Sequence, residues 1–227
     1  MARAIASNTS GKMARLHDSH LFQAWLVLTL SIVFGACLAA VHINFSGLIA
    51  ANKLNESLER IPGLIWSGGK SVNPVEKGEP VEIAPGRITV TKQDRTVFYP
   101  VFQVTHKGEV AGWVIKAAGQ GYSGRIELLI GLNPGGDTMN GLFVLEQTET
   151  PGLGNKVTFP AWLDQFTGQK TDNPLVVVKG ESPKPGAIDA ITGATISSRS
   201  VVNIINRTIE ETRGLLASNH IQFIRNR

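Results

Sequence analysis

Apolar residues dominate positions 21–43, LFQAWLVLTLSIVFGACLAAVHI, with no Asp, Glu, Lys or Arg among them. At 1.5 Å per residue the run reaches about 34 Å, against a hydrocarbon core of about 30 Å, and predicts one transmembrane helix. Phe22 and Trp25 near one end suit an interfacial belt. A cleaved signal peptide calls for a shorter run, and Phe34-Gly35-Ala36 is a poor lipoprotein box ahead of Cys37. Helical spacing continues through Leu48, Ala51, Leu54 and Leu58, and Pro62 is expected to end it by disfavouring helix at the residue before it. From Gly63 to Gly86 frequent Gly, Pro and Lys predict a loop-rich connection with at most short strands.

Strand patterns then take over. The segments 96–104, 109–117, 125–133 and 139–147 are rich in β-branched and aromatic residues, with turn signals at "HKGE" and "NPGGD" between pairs. Sequential hairpins imply a largely antiparallel sheet. Residues 157–168 predict a short helix and 173–180 one more strand. Ile196, Val201, Val202, Ile205, Ile209 and Leu216 recur at helical spacing and predict an amphipathic helix over 197–216, packed on the sheet. The class is α+β with one N-terminal anchor. The expected divisions are an N-terminal segment (1–20), the membrane helix (21–43), a helical linker and irregular connection (44–95), the sheet domain (96–217) and a C-terminal tail (218–227).

Composition narrows the chemistry. The chain has 227 residues, 42% hydrophobic, with a formal charge of +4 and basic residues scattered rather than striped, which argues against nucleic acid as the main partner. One cysteine excludes an intrachain disulfide and a CxxC pair, and the five histidines stand far apart with no HExxH spacing, so a protein-ligated metal is not expected. Arg3, Lys12 and Arg15 precede the apolar run while Lys53 and Arg60 follow it, a slight bias toward a cytoplasmic N-terminus.

Two glycine loops and one threonine pair are the candidate sites. "GQGYSG" (119–124) fits G-x-G-x-x-G, but a strand pattern follows it, so the dinucleotide reading fails on context. The loop is a tight connection, or one that lets a flat ligand approach the backbone. In "ETPGLGNK" (149–156), Thr150 and free N–H groups could bond a polar ligand edge and Leu153 could cover an apolar face; a plain connection explains it equally. Glu146 and Glu149 are three apart at a strand end, where i and i+3 point to opposite faces, and are not expected to act as an acid/base pair. Ser197 and Ser198 have no activating His nearby and no G-x-S-x-G turn, so hydrolase chemistry has no support. In "DAITGATISS" (189–198), Thr192 and Thr195 flank a Gly-Ala step at a helix start. A threonine there could cap the helix, with Ser198 as a weak third partner to Thr195; it could equally border an anion site, or carry a phosphate as an ester. Spacing alone does not choose.

"DAITGATISS" resembles the D-x-x-[S/T]-G-A-T-x-x-[S/T] signature of the covalent FMN-binding domain. That domain occurs in the G subunit of the Rnf ion-translocating oxidoreductase complex and in the C subunit of the sodium-pumping NADH:quinone reductase. "GYSGRIELLIGLN", "ETPGLGNKV" and "LERIPGL" also resemble the G subunit at similar spacing, so the likeness runs over roughly 105–210 and, with the anchor, most of the chain. It implies that the sheet domain binds FMN, and that FMN is joined by a phosphoester to the hydroxyl of Thr195 by a flavin transferase using FAD and magnesium. Asp189, Thr192, Gly193 and Ala194 would form the recognition element, and Thr150, Gly152, Leu153, Gly154, Tyr122 and Ser123 would be cofactor contacts. It further implies an electron-relay subunit, without complete activity alone, working with the A, B, C, D and E subunits of an inner-membrane ferredoxin:NAD oxidoreductase. The FMN domain would then be periplasmic. With no charge in the apolar run, ion pumping would reside in partners. The C subunit, a stand-alone flavinylated domain and a non-redox assembly module are the other readings.

Overall fold

A computed structural model describes residues 20–66, 79–92, 95–180, 184–218 and 221–223. The chain falls into two compact units, residues 1–54 and 55–227. In the first, the helix α1 (His20–Trp66) begins; its apolar stretch is long enough to cross a membrane, and its large side chains, such as Leu30, Phe34 and Leu38, are exposed.

The second unit is built on a six-stranded antiparallel sheet. Its strands are β1 (Val81–Lys92), β2 (Arg95–His106), β3 (Glu109–Gln120), β4 (Arg125–Leu132), β5 (Met139–Gln147) and β8 (Gln222–Phe223). They lie in the order β5-β4-β3-β2-β1-β8. The predicted α+β class and antiparallel sheet are what the structure has. Lys107 and Gly108 both take positive φ in the β2–β3 turn, the combination that matches a tight hairpin to the strand twist. In the β4–β5 turn the Asn133 amide donates to Asp137 Oδ1. Hydrogen bonds from Thr138 and Asn133 hold the Asp137 carboxyl below its ordinary range.

Both faces of the sheet are covered. On one, α3 (Thr195–Ala217) lays Val201, Val202, Ile205 and Ile209 against Ile115, Ala117, Ile126, Leu128 and Ile130. On the other, Ile61, Leu64 and Ile65 pack with Phe102, Val104, Val114 and Leu129. Strand β4, covered on both sides, is accordingly buried from Ile126 to Leu132. Its buried carboxylate, Glu127, is met by Lys116 and Arg125, each at 3.1 Å.

Several expectations are corrected. Helix α1 does not end at Pro62 but runs through it to Trp66. Pro62 costs the bond to the Leu58 carbonyl; full burial of Ile61 at 0% exposure and of its neighbours Leu64 and Ile65 offsets that loss. The boundary expected at residue 95 falls inside a hairpin, because β1 pairs with β2 from Val81↔His106 to Lys92↔Arg95. Pro85 and Gly86 disguise β1 in the sequence, yet Ile88 and Val90 alternate inward between exposed neighbours. Of the expected loop, residues 67–78 lie outside the described residues. The expected tail contributes β8, which pairs Gln222 and Phe223 with Arg87 and Gly86.

The helix expected over 157–168 is three short pieces, 3-10 turns at Gly154–Thr158 and Asp164–Phe166 around α2 (Pro160–Leu163). The strand expected over 173–180 is only β6 (Val176–Val178), paired in parallel with β7 (Ala187–Asp189). Ile196, expected in the core, is 55% exposed.

Candidate functional site

Three segments converge at the start of α3. The turn Ile191–Ala194 closes with Ala194 N–H donating to the Ile191 carbonyl at 2.9 Å, and Gly193 at its third position has φ +81°. A type II turn needs that left-handed conformation, which glycine takes without steric cost. Helix α3 follows at once. Its N-cap is Ala194 with no side-chain cap, so neither threonine caps it. Among the described residues no hydrogen bond engages the Thr195 hydroxyl. Ser198 ties the turn back instead: its hydroxyl donates to the Ala194 carbonyl at 3.0 Å and accepts Ile191 N–H at 3.1 Å. The helical ladder opens with Ser198 N–H to the Ala194 carbonyl. The N–H groups of Thr195, Ile196 and Ser197 precede it and are left for another acceptor, at the positive end of the helix.

Opposite this turn stand the two glycine loops. Ser123 Oγ and Thr150 Oγ1 are 3.2 Å apart, which couples them. Leu153 and Asn155 both donate backbone N–H groups to the Thr150 carbonyl at 3.2 Å, folding the second loop on itself. A cleft of about 600 Å³ opens between the loops and α3, lined by Tyr122, Thr150, Leu153, Gly154, Lys179, Gly193, Ala194, Thr195, Ile196 and Ser197. Tyr122, Leu153 and Ile196, which expose 62%, 44% and 55% of their surface, give the cleft an apolar wall.

Of the residues singled out in the sequence, Tyr122, Thr150, Leu153, Gly154, Gly193, Ala194 and Thr195 therefore share one cleft. Ser123 supports it from behind through Thr150. Gly152, with φ +76°, shapes the loop without lining the cleft. Thr192 is exposed at the second position of the turn. Asp189 is not in the lining. Its carboxylate accepts Gly180 N–H at 2.8 Å and its carbonyl accepts the Trp162 indole N–H at 2.9 Å, which fixes the segment carrying Lys179.

Sequence reading missed Lys179, placed Ile196 in the helix core, weighed Ser197 only as a hydrolase nucleophile, and dismissed Glu149 as an acid/base partner. Lys179 brings a cation to the helix end from 16 positions upstream; no local pattern marks it. Glu149 is 5% exposed and accepts Ser197 O–H at 2.5 Å and Ser123 N–H at 3.1 Å. The opposite-face argument that separated it from Glu146 does not apply, because Glu149 lies beyond the last residue of β5.

A family model described as an FMN-binding domain matches residues 121–210. The chain is 40% identical over 111 residues to the G subunit of the Na(+)-translocating ferredoxin:NAD(+) oxidoreductase complex of Acetobacterium woodii, covering 48% of this chain and 52% of that protein. It is 32% identical over 145 residues to the proton-translocating counterpart of Clostridium ljungdahlii, covering 61% of this chain and 77% of that one. The chain belongs to the G-subunit family of ion-translocating oxidoreductase complexes. It spans about half the length of the Acetobacterium G subunit. The crystal structure of Shewanella oneidensis NqrC shares the fold, with a TM-score of 0.58 at 20% identity over 74% of this chain and 99% of that one.

The cleft of this G-subunit relative fits FMN on its own residues. Unengaged helix N–H groups and Lys179 suit a phosphate, and the exposed apolar wall suits a flat ring.

Proposed function

We propose that this chain is a membrane-anchored electron-relay subunit whose FMN is joined through its phosphate to Thr195 Oγ. The observation that carries this reading is a threonine at the first position of an uncapped helix, its hydroxyl unengaged, inside the FMN-sized cleft. Thr192, exposed in the turn and outside the cleft lining, lacks that setting.

Attachment takes the chemistry the family resemblance implies. A flavin transferase using FAD and magnesium presents the pyrophosphate. Thr195 Oγ forms the new phosphorus–oxygen bond, the pyrophosphate bond breaks, AMP leaves, and the hydroxyl proton passes to the transferase or solvent. The N–H groups of Thr195, Ile196 and Ser197, with Lys179, would hold the phosphodiester oxygens. Tyr122, Leu153 and Ile196 would offer the ring an apolar face. When bound, FMN supplies the electron-transfer chemistry, and the protein sets its position and potential.

The tether keeps the cofactor in an open cleft, which suits exchange of electrons with neighbouring subunits. By the relatives' names, the complex would work between ferredoxin and NAD coupled to ion movement. The apolar stretch of α1 would span the inner membrane once, with its N-terminus cytoplasmic and the FMN domain periplasmic. The A, B, C, D and E subunits would be the partners, and the pumping would reside in them.

The test is a denaturing gel viewed under ultraviolet light, on protein co-expressed with a flavin transferase. A fluorescent band in the wild-type chain that is lost in Thr195→Ala supports the reading. No band in the wild type, or an unchanged band in the variant, overturns it.

A further inference from the structure

Behind the cleft sits a carboxylate that does not line it. Glu149 is 5% exposed, and each of its oxygens has a donor from a different segment. Oε1 accepts Ser123 N–H from the first glycine loop at 3.1 Å, and Oε2 accepts Ser197 O–H from the first turn of α3 at 2.5 Å. Its own N–H donates to the Gln147 side-chain oxygen at 2.6 Å, which fixes the strand end that carries it.

Two neighbouring glycines leave room for this side chain. A Cβ on Gly121 would stand 2.3 Å from Glu149 Oε1, and one on Gly154 would stand 2.8 Å from both Glu149 Oε2 and Ser197 Oγ. Two of the loop glycines are thus explained by where the carboxylate sits. All three walls of the cleft meet at this one group: the 121–124 turn, the 149–154 loop and the start of α3.

We propose that Glu149 is the positioning residue of the cleft, holding both glycine loops in register with the helix end that presents Thr195. This rests on the flavin reading above. A carboxylate offers only acceptors, so it orients the Ser197 hydroxyl inward and away from the helix N–H groups, which stay free for a phosphate. Without it, Ser123 N–H and Ser197 O–H lose their buried partner, and the loops lose the link that sets their distance from α3. An attachment reaction that needs Thr195 aligned with a phosphorus atom is sensitive to a displacement of about 1 Å.

The experiment measures covalent flavin per chain and the visible circular dichroism of the bound flavin, for full-length protein co-expressed with a flavin transferase. Glu149→Ala is expected to load about tenfold less flavin and to change the flavin dichroism. Glu149→Gln keeps an acceptor for Ser123 N–H and a group that can bond Ser197 Oγ, and is expected to recover most of the loading. Far-ultraviolet circular dichroism reports whether each variant folds. Should Glu149→Ala not fold, Ser197→Ala decides, since it removes one link and no core volume: a loss of about threefold supports the proposal. Wild-type loading and an unchanged flavin spectrum in the folded Glu149→Ala, or in Ser197→Ala where it decides, overturn the proposal alone, provided Thr195→Ala loses its flavin. Absence of flavin from the wild type, or its retention in Thr195→Ala, sinks the flavin reading and the proposal with it.

Discussion

Leu153 closes over Gly193. A Cβ added to that glycine would lie 3.0 Å from Leu153 Cδ2, and the glycine holds φ at +81°. Gly193→Ala would therefore carry a left-handed backbone cost of about 1–2 kcal/mol, with Leu153, a flexible and partly exposed side chain, giving way. Urea denaturation should show a loss of that size, and covalent flavin should fall with it. Full stability in the variant would mean that the turn is not held as described.

Lys179 is exposed at the mouth of the cleft and is held there by the Asp189–Gly180 bond. Lys179→Glu should leave stability within about 0.5 kcal/mol, because an exposed side chain contributes little. Flavin loading should drop, since a second anion would then face the phosphate. Equal loading at low ionic strength would remove Lys179 from the site.

Ile61 is fully buried under the sheet, one residue before Pro62. Ile61→Ala should cost about 3 kcal/mol, measured by denaturant midpoint at constant slope. A cost near zero would show that the end of α1 is dispensable to the sheet domain.

The Tyr99 hydroxyl donates to Glu211 Oε2 at 2.7 Å, and burial first, then that bond, pushes its pKa from 10.0 up to about 12. The folded state thus keeps a proton that the unfolded chain releases. The contribution is complete below pH 10.0 and is lost as pH climbs through about 12. Denaturation midpoints should fall across that window in the wild type and fall less steeply in Tyr99→Phe. Parallel slopes for the two would contradict the assignment.

Much of the sheet was legible because hairpin strands are local. Period-2 patterns and turn residues at Lys107-Gly108 and Gly136 act within a few positions of where they are written. Strand β1 escaped because Pro85 and Gly86 interrupt its pattern, and its pairing partner rather than its own propensity makes it a strand. Pro62 misled for the same reason in reverse. A local rule against helix lost to apolar area buried on a sheet far away in sequence.

The sequence by itself determined the apolar run, the sheet-then-helix order and a threonine at the start of α3, since each follows from spacing along one segment. Whether that threonine capped the helix was beyond it; in the fold Ala194 fills the capping position without a side-chain bond. Tertiary structure also decided which residues meet. Lys179 and Glu149 come to the start of α3 from two segments distant in the chain. A charge or hydroxyl acquires its role from neighbours brought together by core packing, and that proximity is written in no local stretch of chain.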